Sequence, residues 1–134
     1  MDPITAIGII ASVQQLLAAL GKTLILMNQA YSDFKGAEQE AQRLRNELNT
    51  SVTLVTQVWV ALADIDPSTR ASLDRTAQDF SETIERLRKR IQPPEVKGIK
   101  RLAWPLKRDE TNKLASEIAN FRNTFHLALG VRVS

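Results

Sequence analysis

The 134-residue chain contains no cysteine and a single histidine. Lack of Cys excludes a disulfide scaffold, a thiol nucleophile and a thiolate-bound zinc. One His excludes a multi-histidine metal site. Aromatic residues make up only 5%, so the core must come mainly from Leu, Ile, Val and Ala. Five Gly and five Pro are too few for many short strands and turns, and no segment alternates polar and apolar residues with period two. There is no phosphate-binding glycine loop, no Gly-x-Ser-x-Gly elbow and no metal-ligand constellation. No cofactor is expected. His126 has no acid or nucleophile at a matching spacing, so an enzyme is the least supported reading. Asn49-Thr50-Ser51 fits a glycosylation sequon but falls within a predicted helix, and it is given no role. The N-terminus carries Asp2 and no Lys or Arg, which does not fit a secretory signal.

Hydrophobic residues at 43% and charged residues at 25% describe a globular chain, and its length suits one domain over residues 1–134. The net charge of +3 is ordinary, but its distribution is not. Residues 1–34 sum to −1, residues 35–91 to zero, residues 92–108 to +4 and residues 109–134 to zero. Between Arg86 and Arg108 lie nine basic residues, Arg86, Arg88, Lys89, Arg90, Lys97, Lys100, Arg101, Lys107 and Arg108, opposed only by Glu95, a local +8. Such a cluster attracts lipid headgroups, nucleic acid or an acidic partner. Cations in the last turn of a helix also complement its dipole, which is sufficient reason for Arg86 to Arg90.

Asp2-Pro3 and Asp66-Pro67 each pair a capping carboxylate with a proline suited to the first helical position. They predict a first helix over Pro3 to about Ala30 and a third over Pro67 to Ile91. The third carries the stripe Leu73, Ala77, Phe80, Ile84, Leu87 and Ile91, with Asp74, Asp79, Glu82 and Glu85 on its solvated face. A second helix is predicted from near Lys35 to near Ala63, with the stripe Leu44, Leu48, Val52, Val55, Trp59 and Leu62. Pro93-Pro94 ends the third helix, and residues 92–107 (QPPEVKGIKRLAWPLK) read as an irregular loop. A fourth helix is predicted from Asp109 to Leu129, with the stripe Leu114, Ile118, Phe121, Phe125 and Leu129 and with Gly130 as a left-handed cap. The expected fold is all-α: an antiparallel four-helix bundle with a basic loop containing Pro and Trp before the last helix.

The first helix stands apart. Pro3 to Gly21 holds no charged residue, and after Lys22 the run TLILMNQAYS is uncharged again. Large apolar side chains cover more than half its circumference: Ile7, Ile10 and Leu17 on one side, Ile9, Val13, Leu16 and Leu20 on the other. The remaining arc carries Thr5, Gly8, Ser12, Ala19 and Thr23, small enough for helix backbones to approach closely. A helix apolar over so wide an arc is central in a bundle or able to enter a membrane. Pro3 to Leu20 would measure about 27 Å against a hydrocarbon core of about 30 Å, and Gln14 and Gln15 argue against a constitutive span. A helix stored in the bundle and inserted later as an oligomer satisfies both observations. Trp104 has two readings, an aromatic beside Lys and Arg at a membrane interface or a plug for the bundle end.

Three segments in order carry a family resemblance. Met1-Asp2-Pro3-Ile4, followed by the uncharged helix, resembles the start of fungal HeLo-like domains. These stand at the N-terminus of many fungal STAND (NOD-like) receptors and related cell-death proteins. Lys100-Arg101-Leu102-Ala103-Trp104-Pro105-Leu106-Lys107 resembles the family's basic L-x-W-P-F-K element, with Leu106 where Phe is expected. Asn120 to Leu129 (NFRNTFHLAL) resembles its closing helix.

The resemblance implies a bundle akin to the executioner domain of the mixed-lineage kinase-domain-like pseudokinase. It implies a cytoplasmic protein that oligomerises with itself, moves to the plasma membrane and permeabilises it in programmed cell death. The membrane-active helix would be carried by Ile4, Ile7, Gly8, Ile9, Ile10 and Ser12, with Leu16, Leu17 and Leu20 behind them. The basic residues from Arg86 to Arg108, with Trp104, would meet anionic lipid headgroups or an acidic partner. A nucleotide-binding or amyloid-signalling region is expected after Ser134. The alternative is a soluble oligomerisation adaptor of a fungal NOD-like receptor with no membrane step. Nucleic-acid binding rests on the local charge alone, since only Trp104 offers base stacking and no helix-turn-helix spacing is evident.

Overall fold

The computed structural model describes residues 3–34, 37–93 and 102–130. They form four helices, α1 (Pro3–Ala30), α2 (Glu38–Ala61), α3 (Pro67–Ile91) and α4 (Arg108–Gly130), in an all-α bundle. A short 3-10 turn, Leu62–Asp64, follows α2. Two extended segments, Tyr31–Asp33 and Leu102–Ala103, pair in parallel, with Tyr31 opposite Leu102. Asp2, Lys35 and the residues from Pro94 to Arg101 lie outside the described residues.

The helix ends follow local chemistry. Asp66 caps α3: its Oδ1 accepts from the Thr69 backbone N–H at 2.9 Å and its Oδ2 from the Thr69 hydroxyl at 2.6 Å. These bonds satisfy groups that a helix start leaves open, and they hold the Asp66 carboxyl below its ordinary value. Arg88, Lys89 and Arg90 stand in the last turn of α3, where cations oppose the dipole. Gly130 is a correction to the sequence reading. It is the last residue of α4 and does not adopt a left-handed backbone.

All six residues of the α3 stripe are buried. In α4, Ile118 and Phe125 are buried while Leu114, Phe121 and Leu129 are half-buried; Phe121 stacks on Phe80 with centroids 4.9 Å apart. In α2 the buried arc is wider than the predicted stripe. Leu44, Leu48 and Val55 are buried, together with Ser51, Leu54, Val58 and Ala61, while Val52, Trp59 and Leu62 are only half-buried. This arc faces α1 and α4.

The connection between α2 and α3 passes through Ile65, which is buried. α1 packs chiefly on α3 and α2 chiefly on α4; α1–α2 and α3–α4 contacts close the square, leaving α2 and α3 on a diagonal. Contacts give the directions. Ser12 meets Asp74 and Tyr31 meets Ile91, so α1 and α3 run the same way. Arg43 meets Asn112 and Glu47 meets Arg122, so α2 and α4 also run the same way. Arg90 meets Glu110 while Phe80 meets Phe121 and Phe125, so α3 and α4 run oppositely. The two most extensive interfaces are therefore parallel, which a simple antiparallel bundle does not provide.

Candidate functional site

Two regions singled out by the sequence lie at opposite ends of the bundle. The parallel run of α1 and α3 sets the start of α1 beside the start of α3, and the basic last turn of α3 beside Tyr31. At 1.5 Å per residue, the 25 residues of α3 separate the ends by about 37 Å.

At the α1 end, Ser12, Leu16 and Leu20 are buried and Leu17 is half-buried. Of the small residues on that arc, Ser12, Ala19 and Thr23 are buried. The Thr23 hydroxyl donates to the Ala19 carbonyl at 2.8 Å, which satisfies it within the helix. Gly8 is exposed, and a Cβ there would meet nothing within 4 Å. The outward face of α1 comprises Gly8, Ala11, Gln14, Gln15, Ala18, Lys22, Ile25, Asn28 and Gln29, with Lys22 its sole charge among the described residues. Surface helices ordinarily carry charge there. The backbone of Ile4, Ile7, Ile9 and Ile10 is helical; their side chains lie outside the described residues. Among the described residues no helix is long and apolar enough to cross a membrane.

At the other end, Arg86, Lys89, Arg90, Lys107 and Arg108 are exposed and Arg88 is half-buried; Lys97, Lys100 and Arg101 lie outside the described residues. The footprint is weaker than the linear count implies. Glu85 pairs with Arg88 at 2.5 Å, and Glu110 pairs with Arg90. Both carboxylates flank the basic window in sequence, and Glu110 reaches it only because α3 and α4 are neighbours. The spacing of Glu85 and Arg88, three apart on one helix, was a readable signal. Arg86 donates to the Thr83 hydroxyl at 3.2 Å. A groove between α3 and α4 is lined by Arg86, Lys89, Lys113, Leu87 and Leu114, among others.

Trp104 leaves the surface set. It is 6% exposed, and its Nε1–H donates to Thr111 Oγ1 at 3.0 Å, while the Thr111 hydroxyl donates to the Lys107 carbonyl at 2.9 Å. Its ring meets the edges of Tyr31 and Phe34 with centroids 5.4 and 5.5 Å away. Trp104 therefore plugs the bundle end and offers no face to a headgroup or base in this arrangement. The Tyr31 hydroxyl donates to the Ile91 carbonyl, an acceptor left open where α3 ends. Burial pushes the Tyr31 phenol up. Leu106 is buried beside this cluster. Sequence reasoning missed Tyr31 and Phe34, because nothing local links positions so far apart in the chain, and Thr111, seven residues after Trp104, because no motif marks it as a partner.

Asp74 is a further correction. The sequence assigned it to a solvated face, yet it is half-buried and accepts from the Ser12 hydroxyl at 2.5 Å. Asp79 and Glu82 are exposed as expected, and His126 is exposed. No protein-family model matches the chain, and no curated protein or solved structure matches it.

Proposed function

We propose that this protein is a membrane-targeting helical bundle of the HeLo-like kind. It stores an uncharged helix against its core and, after self-association, uses that helix to permeabilise an anionic membrane. The fold is read as up-down-up-down, each helix reversing on the one before. The protein would act without catalysis or a cofactor, from the cytoplasm onto the plasma membrane.

One observation carries the reading. α1 has 28 residues and one charge, Lys22, which is also the sole charge of its outward face among the described residues. Moving a charged side chain into hydrocarbon costs several kcal/mol on most scales. α1 can leave water with only one such group to accommodate. Gln14 and Gln15 interrupt its apolar run, and insertion as an oligomer would take them out of contact with lipid. Gln14, Gln15, Ser12 and Thr23 would then line contacts between helices rather than face lipid.

The separation of the two ends constrains the approach to the membrane. One flat bilayer reaches both the basic end and the start of α1 only if the bundle lies along its α1–α3 side or if α1 leaves the bundle.

The test uses oligomers forced by a fused trimeric or tetrameric coiled coil and vesicles rich in phosphatidylserine. Leakage is expected, and Gly8→Glu is expected to abolish it. Gly8 is exposed with open space around it, so the bundle should tolerate the change, as circular dichroism can check. Forced oligomers that neither bind nor leak such vesicles would overturn the proposal and favour the soluble adaptor.

A further inference from the structure

The described residues expose three large apolar side chains, Ile25, Val60 and Leu127. A single exposed apolar residue is ordinary, but Val60 differs in its company. It is 78% exposed, and the 3-10 turn Leu62–Asp64 carries the helical path on past it. Ala63 and Asp64, three and four residues on, therefore share its face, and both are exposed. Asp64 makes no ion pair among the described residues. Neither Ile25 nor Leu127 has a carboxylate within four residues. The corner between α2 and α3 thus sets an exposed apolar side chain beside an unpaired carboxylate.

The groove between α3 and α4 is complementary to that corner. These two helices are the least closely packed of the four neighbouring pairs, and between them lies a groove of about 520 Å³. Leu87 and Leu114 supply apolar lining. Arg90 and Glu110 neutralise each other at one edge. Arg86, Lys89 and Lys113 then stand against Glu117 alone, a surplus of two positive charges. None of those three cations is ion-paired among the described residues. Thr83 to Arg90 spans about 10 Å of helix and Val60 to Asp64 about 7 Å, so the corner fits within the length of the groove.

The two surfaces do not meet within one copy. The corner precedes the start of α3 and the groove lies towards its end, with about 30 Å of helix from Pro67 to Leu87 between them. We infer that the groove between α3 and α4 receives the Val60–Asp64 corner of a second copy, with Val60 against Leu114 and Asp64 beside Lys89 and Lys113. The two surfaces are unlike, so the contact is head-to-tail. Every added copy presents a new groove or a new corner, and copies build a chain or close a ring. The inference rests on the self-association named in the proposed function, but the contact needs no lipid.

Sedimentation velocity of the full chain without lipid tests it. The contact is small and belongs with weak interfaces, so samples run to about 1 mM at low salt. Association should rise with concentration and fall as salt is added. A groove variant, Lys89→Glu with Lys113→Glu, should weaken it by roughly tenfold or more. A corner variant, Val60→Ala with Asp64→Ala, should do the same. All four positions are exposed, and circular dichroism reports that each variant folds. The decisive sample mixes the two variants. One keeps its corner and the other its groove, so the mixture should form a one-to-one dimer and grow no further. A wild-type chain that stays monomeric, variants that associate as wild type does, or a mixture that stays monomeric would overturn the contact. Monomers here together with leakage by coiled-coil-forced oligomers would sink the contact and leave the membrane reading standing. Association of the expected kind without leakage would do the reverse.

Discussion

Trp104→Ala separates the two readings that the sequence leaves open for this residue. If Trp104 is the plug, the substitution removes an indole that is 6% exposed, its edge contacts with Tyr31 and Phe34, and the donor that satisfies Thr111. Truncating a buried Trp typically costs about 3–5 kcal/mol, a figure that already includes those contacts. With an unfolding entropy of about 2.1 cal/mol/K per residue, the 134 residues carry about 0.28 kcal/mol/K, so a loss of about 4 kcal/mol lowers Tm by about 14 °C. Trp104→Phe keeps a ring in the site and leaves the Thr111 hydroxyl bonded to the Lys107 carbonyl, so about 1–2 kcal/mol is expected. Urea unfolding followed by circular dichroism measures both. A Trp59→Phe background leaves Trp104 as the single tryptophan, since the chain has two, and its emission should be that of a buried indole. A surface role predicts the reverse: a stability change within about 0.5 kcal/mol, a solvent-exposed emission and weaker vesicle binding. That set of results would refute the plug.

Four further predictions address the fold. Asp66→Ala should lower Tm at neutral pH. Because the cap holds the Asp66 carboxyl below its ordinary 3.8, its stabilisation is present above that value. It is lost as pH falls through the lower folded value, so wild type and variant should converge in acid melts. Tyr31→Phe should lower stability by about 1 kcal/mol by removing the donor to the Ile91 carbonyl. The Tyr31 phenol sits above its ordinary 10.0, so wild type should lose stability as pH rises past that value while Tyr31→Phe lacks this component. Phe80→Ala, at a fully buried site stacked on Phe121, should cost about 3–5 kcal/mol in chemical denaturation. Val60→Ala, at 78% exposure, should stay within about 0.5 kcal/mol.

The α3 helix was legible in the sequence from end to end. Its cap, its first-turn proline, its stripe of six apolar residues and its basic last turn all act within a few residues of one another. A linear reading can therefore see them. The boundaries of α1 were legible for the same reason, and so was the lack of charge that sets it apart. α2 and α4 were legible as helices but not in all of the residues they bury, because burial depends on where the neighbouring helices lie against each face. The candidate site divides similarly. The uncharged helix α1 is visible as composition, and the basic segment is visible as a charge run. Neither their separation by the length of α3 nor the neutralisation of Arg90 by Glu110 could be read without knowing which helices touch.

The sequence by itself therefore determined four helices, their ends, one uncharged helix and one basic segment, all products of short-range hydrogen bonding, periodicity and composition. Tertiary structure alone decided that α1 lies parallel to α3, that Trp104 faces Thr111 rather than solvent, and that Ser12 reaches Asp74. The first and last join residues far apart in the chain, and the second depends on how the segment before α4 folds over Tyr31 and Phe34. Local preferences do not choose among the ways four such helices can be arranged; the packing of their buried faces does.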